Sequence, residues 1–283
     1  MERRQGGREG QGLTLRALAA LTTACIALSG GAAFAGCDGL VDVGGYSLWA
    51  KTQGSGPVTV AFEAGGGATS AAWSEVEPQV RALGVTTLLY DRSGLGQSQL
   101  APTPYSIEQE TKALAAVLDR CGVQGARILV GHSYGGYIVE RLAARDAKVK
   151  GLVLVDANLP RLIDAAWAAR IQARYRPQYG ELKAKAPNLA KALIPMMEAY
   201  ADTAGAMRDV ALPAALPVVD IVAERSWNET PAEGEAMRAA HKAFVAQSPN
   251  RRSVLATGSG HNVMQDRPDV VVEAIKNALL ETD

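Results

Sequence analysis

The chain has 283 residues and a formal net charge of zero, a length that suits one large α/β domain and is more than enough to bury a core. Because it has no basic stripe and no block of like charge, the sequence predicts neither a nucleic-acid partner nor a charged tail. Only 5% of the residues are aromatic, which argues against a stacking platform for carbohydrates or bases.

The first 35 residues have the layout of a secretory signal peptide. Four arginines precede an apolar run over residues 17–28, and Ala33-Phe34-Ala35 matches an A-x-A cleavage site. The run is too short to span a bilayer, and no later segment is long and apolar enough to do so. We therefore predict a secreted or periplasmic protein without a transmembrane segment, cleaved after Ala35. The alternative is a disordered extension outside the fold.

Two of the three cysteines, Cys37 and Cys121, remain after the predicted cleavage. In an oxidising compartment such a pair can form a disulfide, which here would tie the N-terminus to the end of a helix. The sequence leaves open whether the two residues meet. The stretch that ends at Cys37 also loosely resembles a lipoprotein processing site, which would place a lipid anchor on Cys37. Phe34 stands where leucine is usual, so we favour a protein without this anchor.

From residue 40 onward, predicted strands alternate with helices. Residues 40–51 alternate in polarity around a Gly-Gly pair and predict an antiparallel start. Apolar runs at 58–62 and 85–90 predict two further strands, and the amphipathic run 107–120 predicts a helix. Asp91 directly follows the second of these strands, and we interpret it as a structural residue that caps loop N–H groups.

A serine stands between the apolar run 126–130 and the amphipathic run 137–145, within Gly131-His132-Ser133-Tyr134-Gly135. This pattern predicts a strand, a sharp turn and a helix, with Ser133 at the tip. On such a turn φ is positive, and the residues two positions away must be nearly without side chains. The helix that begins there directs free N–H groups to where negative charge would develop on an attacked carbonyl.

The second half continues the alternation around a helical insert. Runs at 150–155, 217–223 and 252–257 predict strands, and 230–247 and 269–280 predict helices. Residues 158–215 between the first two of these strands are alanine-rich and helical in pattern. Strands that alternate with helices predict a mainly parallel, doubly wound α/β sheet with both faces covered.

Four segments resemble the motifs of the α/β-hydrolase family and occur in the family's order. They are residues 62–73, which contain Gly65-Gly66-Gly67, residues 90–98, which read Y-D-R-S-G-L-G-Q-S, the G-x-S-x-G of 131–135, and the G-S-G-H-N of 258–262. The resemblance implies an α/β-hydrolase core formed by residues 36–157 and 216–283, with residues 158–215 as a helical cap. Aromatic and methionine residues of the cap would line an acyl pocket or pack the cap onto the core.

The resemblance also implies the site residues. Ser133 takes the position of the nucleophile, His261 that of the base, and the backbone N–H groups of Gly66 and Tyr134 those of the oxyanion hole. Reasoning from chemistry agrees on the base, because a serine hydroxyl needs one and loops at the carboxyl ends of strands hold the sites of open α/β sheets.

The other two histidines fit the role of base less well. His132 precedes the serine on the strand side of the turn, and we expect its side chain to point elsewhere. His241 falls within a predicted helix, where a surface or packing role is expected.

The acid that would orient His261 has two candidates. The family most often places it just after the strand at 217–223, where this chain has Ser226, and Glu224 comes two residues early. The family's other placement follows the preceding strand, where Asp156 keeps the order Ser, Asp, His. We favour Asp156 and keep Glu224 as the alternative acid. A turn or N-cap role for Asp156 and the absence of any functional acid also stay open.

These observations predict an exported serine hydrolase, a carboxylesterase that acts on small or medium acyl esters through an acyl-enzyme on Ser133. Two alternatives stay open: hydrolysis of amide, peptide or C–C bonds by the same residues, and a catalytically silent member that binds a ligand. A serine argues against the epoxide and haloalkane chemistry of family members with an aspartate nucleophile. No metal cluster, phosphate loop or dinucleotide fingerprint is present in the sequence, so we predict no cofactor and no metal.

Overall fold

An eight-stranded sheet runs through the part of the chain that this computed structural model describes, residues 36–227 and 230–281. The strand order is β1-β2-β4-β3-β5-β6-β7-β8. β2 pairs antiparallel with β1 and β4, and the other neighbours are parallel, which confirms the predicted fold class. The strands are β1 (Asp38–Asp42), β2 (Ser47–Gln53), β3 (Thr59–Glu63), β4 (Thr86–Tyr90), β5 (Arg127–His132), β6 (Val149–Val155), β7 (Val218–Arg225) and β8 (Arg251–Gly260).

The helices connect the strands and cover both faces of the sheet. In the described range they are α1 (Glu77–Arg81), α2 (Ile107–Arg120), α3 (Gly135–Ala143), α4 (Ala165–Tyr175), α5 (Tyr179–Lys185), α6 (Pro187–Glu198), α7 (Tyr200–Met207), α8 (Pro231–Val245), α9 (Val263–Asp266) and α10 (Pro268–Leu280). None of these helices has the length and apolar character needed to cross a membrane. The predicted signal peptide, residues 1–35, lies outside the described residues.

An apolar layer covers each face of the sheet, which explains why the sequences of the central strands are unbroken apolar runs. On β6, Leu152 and Leu154 face the layer that contains α2 and α3, whereas Val153 and Val155 face the layer that contains α10. Successive side chains of a strand point to opposite faces, and here both faces are buried. The parallel arrangement places the carboxyl ends of β3 to β8 at one edge of the sheet, where the loops that carry the site begin.

Helices α4 to α7 form the insert between β6 and β7. Met196, Tyr200 and Met207 of α6 and α7 lie in the same apolar cluster as Ile138 of α3. Arg141 of α3 also donates to Ala206 O of α7 at 2.9 Å, so the insert contacts the helix that follows Ser133.

Cys37 and Cys121 form a disulfide that spans 84 positions of the sequence. It ties the segment before β1 to Cys121, the C-cap residue of α2. Because the sulfur of Cys37 is engaged in this bond, the disulfide form has no free thiol at residue 37 to carry a lipid.

Candidate active site

Ser133 occupies the turn between β5 and α3 with a φ of 51°. Its backbone is held on both sides: its N–H donates to the carbonyl of Val155 at 3.1 Å, and its carbonyl accepts from Asn158 N at 2.9 Å. A Cβ on Gly135 would lie 2.5 Å from the carbonyl oxygen of Ala64, and one on Gly131 would collide with Val139. Close packing around the turn therefore accounts for the G-x-S-x-G spacing.

A chain of hydrogen bonds links Ser133 to a buried carboxylate. Ser133 Oγ lies 2.9 Å from His261 Nε2, and His261 Nδ1 lies 2.6 Å from Asp156 Oδ2. Asp156 follows β6 and His261 follows β8, so the sheet brings together residues that lie 105 positions apart. Because the Nδ1–H group donates a hydrogen bond to the carboxylate, the lone pair of Nε2 can accept the proton of the serine hydroxyl.

The surroundings of Asp156 favour its charged form. Burial acts to raise its pKa, but the hydrogen bond and charge of His261 outweigh burial, and the pKa of Asp156 is lowered from its usual value. Ser226 Oγ donates to Oδ2 at 2.5 Å, and Ala223 N–H donates to Oδ1 at 3.1 Å. Ser226 stands where the family more often has its acid, and here its hydroxyl supports Asp156 instead.

Glu224, the alternative acid, lies on the surface. Its Oε2 accepts a hydrogen bond from the backbone N–H of Gly258, and within the described residues its carboxylate has no contact with His261. The structure therefore brings Asp156 to His261 and leaves Glu224 outside the hydrogen-bonded chain.

The N–H groups of Gly66 and Tyr134 belong to the loop after β3 and the start of α3. Both residues line the same cavity as Ser133. Neither N–H donates to an acceptor within residues 36–227 and 230–281. Two unoccupied N–H donors beside a serine hydroxyl can bind an oxyanion that develops on an attacked carbonyl.

His132 lies against His261 and makes no hydrogen bond with Ser133 among the described residues, so it is not placed as the base, although it lies within the site. The two rings are 4.6 Å apart between centroids, and His132 Nε2 donates to the carbonyl oxygen of His261 at 3.0 Å. His132 is the last residue of β5. The side chain of His132 lies between the loop after β3 and the loop after β8. Sequence reasoning missed the contact because no local pattern shows where the loop after β8 returns.

We expect His132 to make the folded protein sensitive to acid. Burial, assisted by the nearby His261, lowers the pKa of His132 from 6.5 to about 3. Between these pH values the unfolded chain binds a proton that the folded chain excludes. The free energy of unfolding should therefore fall with decreasing pH, by about 1.4 kcal/mol per pH unit from this residue.

Urea denaturation at pH 7, 6 and 5 measures this effect. The His132→Gln variant should show a shallower dependence of unfolding free energy on pH than wild type below about pH 6.5. The difference between the two proteins isolates His132 from other titrating groups. Parallel pH dependences would contradict the prediction.

A cavity of about 600 Å³ opens above Ser133, between the sheet edge and the helical insert. Its apolar wall is formed by Ile171, Leu182, Leu193, Met196, Met197 and Trp227. Apart from the imidazole of His261, the acidic and basic side chains of its described lining are Glu181 and Lys185, which pair with each other at 2.6 Å and are exposed. The cavity thus suits an uncharged, largely apolar group.

The aromatic residues of the insert differ in whether they line this cavity. Tyr175, Tyr179 and Tyr200 line the cavity, whereas buried Trp167 packs against Trp227, with 6.0 Å between ring centroids. Tyr200 also belongs to the buried apolar cluster, so one residue can both line the cavity and pack the insert onto the core.

Two further polar residues belong to the scaffold. Asp91 accepts backbone hydrogen bonds from Ser70 at 2.8 Å and Gln97 at 3.1 Å, which confirms its predicted structural role. His241 of α8 is buried and lies 2.9 Å from Asp220 Oδ2, so it is a packing residue and not a surface one. The described residues contain no group of three His, Cys, Asp or Glu side chains that could hold a metal ion.

Comparison with known proteins agrees with the fold. A model of the alpha/beta hydrolase family matches residues 60–274. YqjL of Bacillus subtilis is 26% identical over 225 residues, 79% of this chain and 84% of YqjL. Lipase LipV of Mycobacterium tuberculosis is 45% identical over 67 residues, 23% of this chain and 25% of LipV. A thermophilic esterase from Thermogutta terrifontis shares the fold, with a TM-score of 0.59 and 20% identity over 84% of this chain and 94% of the esterase.

Proposed function

Because this chain belongs to the alpha/beta hydrolase family, we propose that it is an exported serine hydrolase, a carboxylesterase that forms an acyl-enzyme on Ser133. The family and its named relatives support hydrolase activity. The observation that carries the finer proposal is the hydrogen-bonded chain from Ser133 Oγ through His261 to Asp156, which lies beside the two free N–H groups.

In the proposed reaction Ser133 Oγ attacks the ester carbonyl carbon while His261 Nε2 takes the hydroxyl proton. Asp156 stabilises the imidazolium that forms. The N–H groups of Gly66 and Tyr134 bind the oxyanion of the tetrahedral intermediate, and each such donor contributes on the order of 10²–10³ to the rate. His261 then protonates the leaving alcohol, and water activated by the same histidine releases the acid.

The cavity supports a small or medium acyl group without charge. Its wall is largely apolar, and its charged residues Glu181 and Lys185 already neutralise each other. A carboxylate on the acyl chain would lose its hydration without gaining a cationic partner, which is unfavourable. The proposed substrates are therefore neutral esters.

Export is supported by two independent features. Residues 1–35 have the arginine-rich start, apolar run and A-x-A site of a signal peptide. The Cys37–Cys121 disulfide suits the oxidising environment outside the cytosol.

A fluorophosphonate probe tests the proposed function, because it phosphonylates an activated serine. The mature wild-type protein should label and should hydrolyse short p-nitrophenyl esters. Ser133→Ala should lose both properties, since the residual activity of a protein without its nucleophile is small. The matched control is Ser93→Ala, because the Ser93 hydroxyl accepts a bond from Ala101 N–H and does not contact His261.

Labelling that persists in Ser133→Ala would place the reactive group elsewhere. A folded wild-type protein that neither labels nor hydrolyses esters would overturn the esterase proposal and favour a ligand-binding role on the same fold.

A further inference from the structure

A buried ion pair lies directly beneath the loop that carries Gly66. The side chain of Arg92, in the turn after β4, is 5% exposed, and that of Glu63, at the end of β3, is 1% exposed. Arg92 Nη1 lies 2.5 Å from Glu63 Oε1. The proposed reaction uses neither residue directly, so the reason for burying a charged pair here lies in its other contacts.

The guanidinium of Arg92 also binds two consecutive carbonyls of the loop after β3. Nη1 donates to Ala64 O at 2.5 Å, and Nη2 donates to Gly65 O at 2.6 Å. The N–H of Ala68 donates to the same Gly65 oxygen at 3.2 Å. The planar guanidinium carries several donors in a fixed arrangement, so one side chain can hold two carbonyls and a carboxylate together.

The geometry of the peptide bond transmits this contact to the other side of the loop. The C=O of Gly65 and the N–H of Gly66 belong to one planar trans peptide, in which they point in opposite directions. With Gly65 O fixed on Arg92, the N–H of Gly66 points away from the guanidinium. Gly66 lines the cavity together with Ser133 and Tyr134, and its N–H has no acceptor among the described residues, so this N–H is available to an oxyanion that forms there.

The charge of Arg92 strengthens its hydrogen bond to the carbonyl of Gly65. Burial acts to lower the pKa of Arg92, but the carboxylates of Glu63 and Glu110 outweigh it and raise the pKa above its usual value, so the guanidinium stays charged. A charged donor makes a stronger hydrogen bond to a carbonyl than a neutral donor does. In a low-dielectric environment such a bond also polarises the peptide, which makes its N–H a better donor.

We propose that Arg92 is a positioning residue of the oxyanion hole, which holds and polarises the peptide between Gly65 and Gly66 so that its N–H faces the cavity. This inference rests on the proposed function. Arg92 contacts no substrate atom and acts only through this peptide group. A residue with a purely structural role would instead stabilise the fold without a preference for the transition state.

The test compares three folded proteins: wild type, Arg92→Lys, and the double variant Arg92→Met/Glu63→Gln, in which the carboxylate that pairs directly with Arg92 is neutralised together with it. With p-nitrophenyl butyrate, the double variant should lose about 10²-fold in kcat, the lower range for losing one oxyanion donor, with KM within about threefold of wild type. The kcat of Arg92→Lys should lie between those of wild type and the double variant, because an ammonium keeps the charge but lacks the planar array of donors.

Inhibitors distinguish positioning from a structural role. A trifluoromethyl ketone adds to Ser133 and forms an oxyanion, so its affinity should fall by about the same factor as kcat. The matched methyl ketone, bound as a trigonal carbonyl, should keep its affinity within about threefold. Equal losses of both affinities together with a lower melting temperature would reduce Arg92 to a structural residue and overturn the inference.

Arg127→Met is the matched control. Arg127 is a buried arginine at the other end of β5, where it pairs with Asp146 at 3.3 Å and donates to Val123 O. Its replacement should lower stability and leave kcat and both inhibitor affinities unchanged. An active wild type whose folded Arg92 variants keep full kcat would overturn this inference alone. A wild type without esterase activity would overturn the proposed function, and this inference with it.

Discussion

The Asp156→Asn variant should lose about 10³–10⁴-fold in kcat for p-nitrophenyl esters while it keeps its fold, a magnitude typical of neutralising the carboxylate of a serine triad. Asparagine has nearly the same shape, but it carries no charge to stabilise the imidazolium. It also no longer enforces the tautomer in which His261 Nε2 can accept the serine proton. The measurement is steady-state kinetics, with circular dichroism to verify folding.

Glu224→Gln is the matched control for this prediction. It neutralises a carboxylate at the same carboxyl edge of the sheet, near the end of β7, but Glu224 lies on the surface and bonds only the backbone of Gly258 among the described residues. Its kcat should stay within about threefold of wild type. A large loss in Glu224→Gln with little loss in Asp156→Asn would assign the acid to Glu224.

A second experiment moves the carboxylate from residue 156 to residue 226. Ser226 Oγ lies 2.5 Å from the same Asp156 oxygen that contacts His261 Nδ1. In the Asp156→Asn/Ser226→Asp double variant, a carboxylate at residue 226 should therefore come near His261 and recover at least about tenfold of the lost kcat, a gain of about 1.4 kcal/mol. No recovery would show that residue 226 supports Asp156 but cannot replace it.

Removal of the disulfide should have the largest effect on stability. The bond closes a loop of 84 positions, for which the chain-entropy relation gives a contribution of about 4.5 kcal/mol. The Cys37→Ala/Cys121→Ala variant should therefore unfold at a melting temperature about 10 °C below that of wild type. Differential scanning calorimetry measures the shift.

Activity of the same double variant should be unchanged at low temperature. Cys121 follows α2, which leads to the amino-terminal end of β5, the edge of the sheet opposite Ser133. Thr52→Val is the control, because it removes the hydrogen bond from Cys37 N to Thr52 Oγ1 at 2.7 Å and leaves the disulfide intact. It should cost only about 1 kcal/mol. A double cysteine variant as stable as Thr52→Val would show that the disulfide contributes little.

The local sequence pattern was sufficient to predict the longer strands and helices of the core. The helix predicted over 107–120 is found as Ile107–Arg120, because its amphipathic period depends only on near neighbours. The buried strands were recognisable because parallel strands need apolar side chains on both faces. Helices α1 and α9 escaped prediction, since five and four residues are too few to show a helical period.

The motifs alone predicted Ser133 and His261 as candidate site residues, since each stands in a characteristic spacing of glycines. Only the tertiary structure brought Asp156 rather than Glu224 to His261, joined Cys37 to Cys121, and placed His132 and Arg92 beneath the site. Each of these contacts joins different strands or loops, 27 to 129 positions apart. Composition and periodicity describe a residue's near neighbours, whereas these contacts depend on the strand order and on where each loop crosses the carboxyl edge of the sheet.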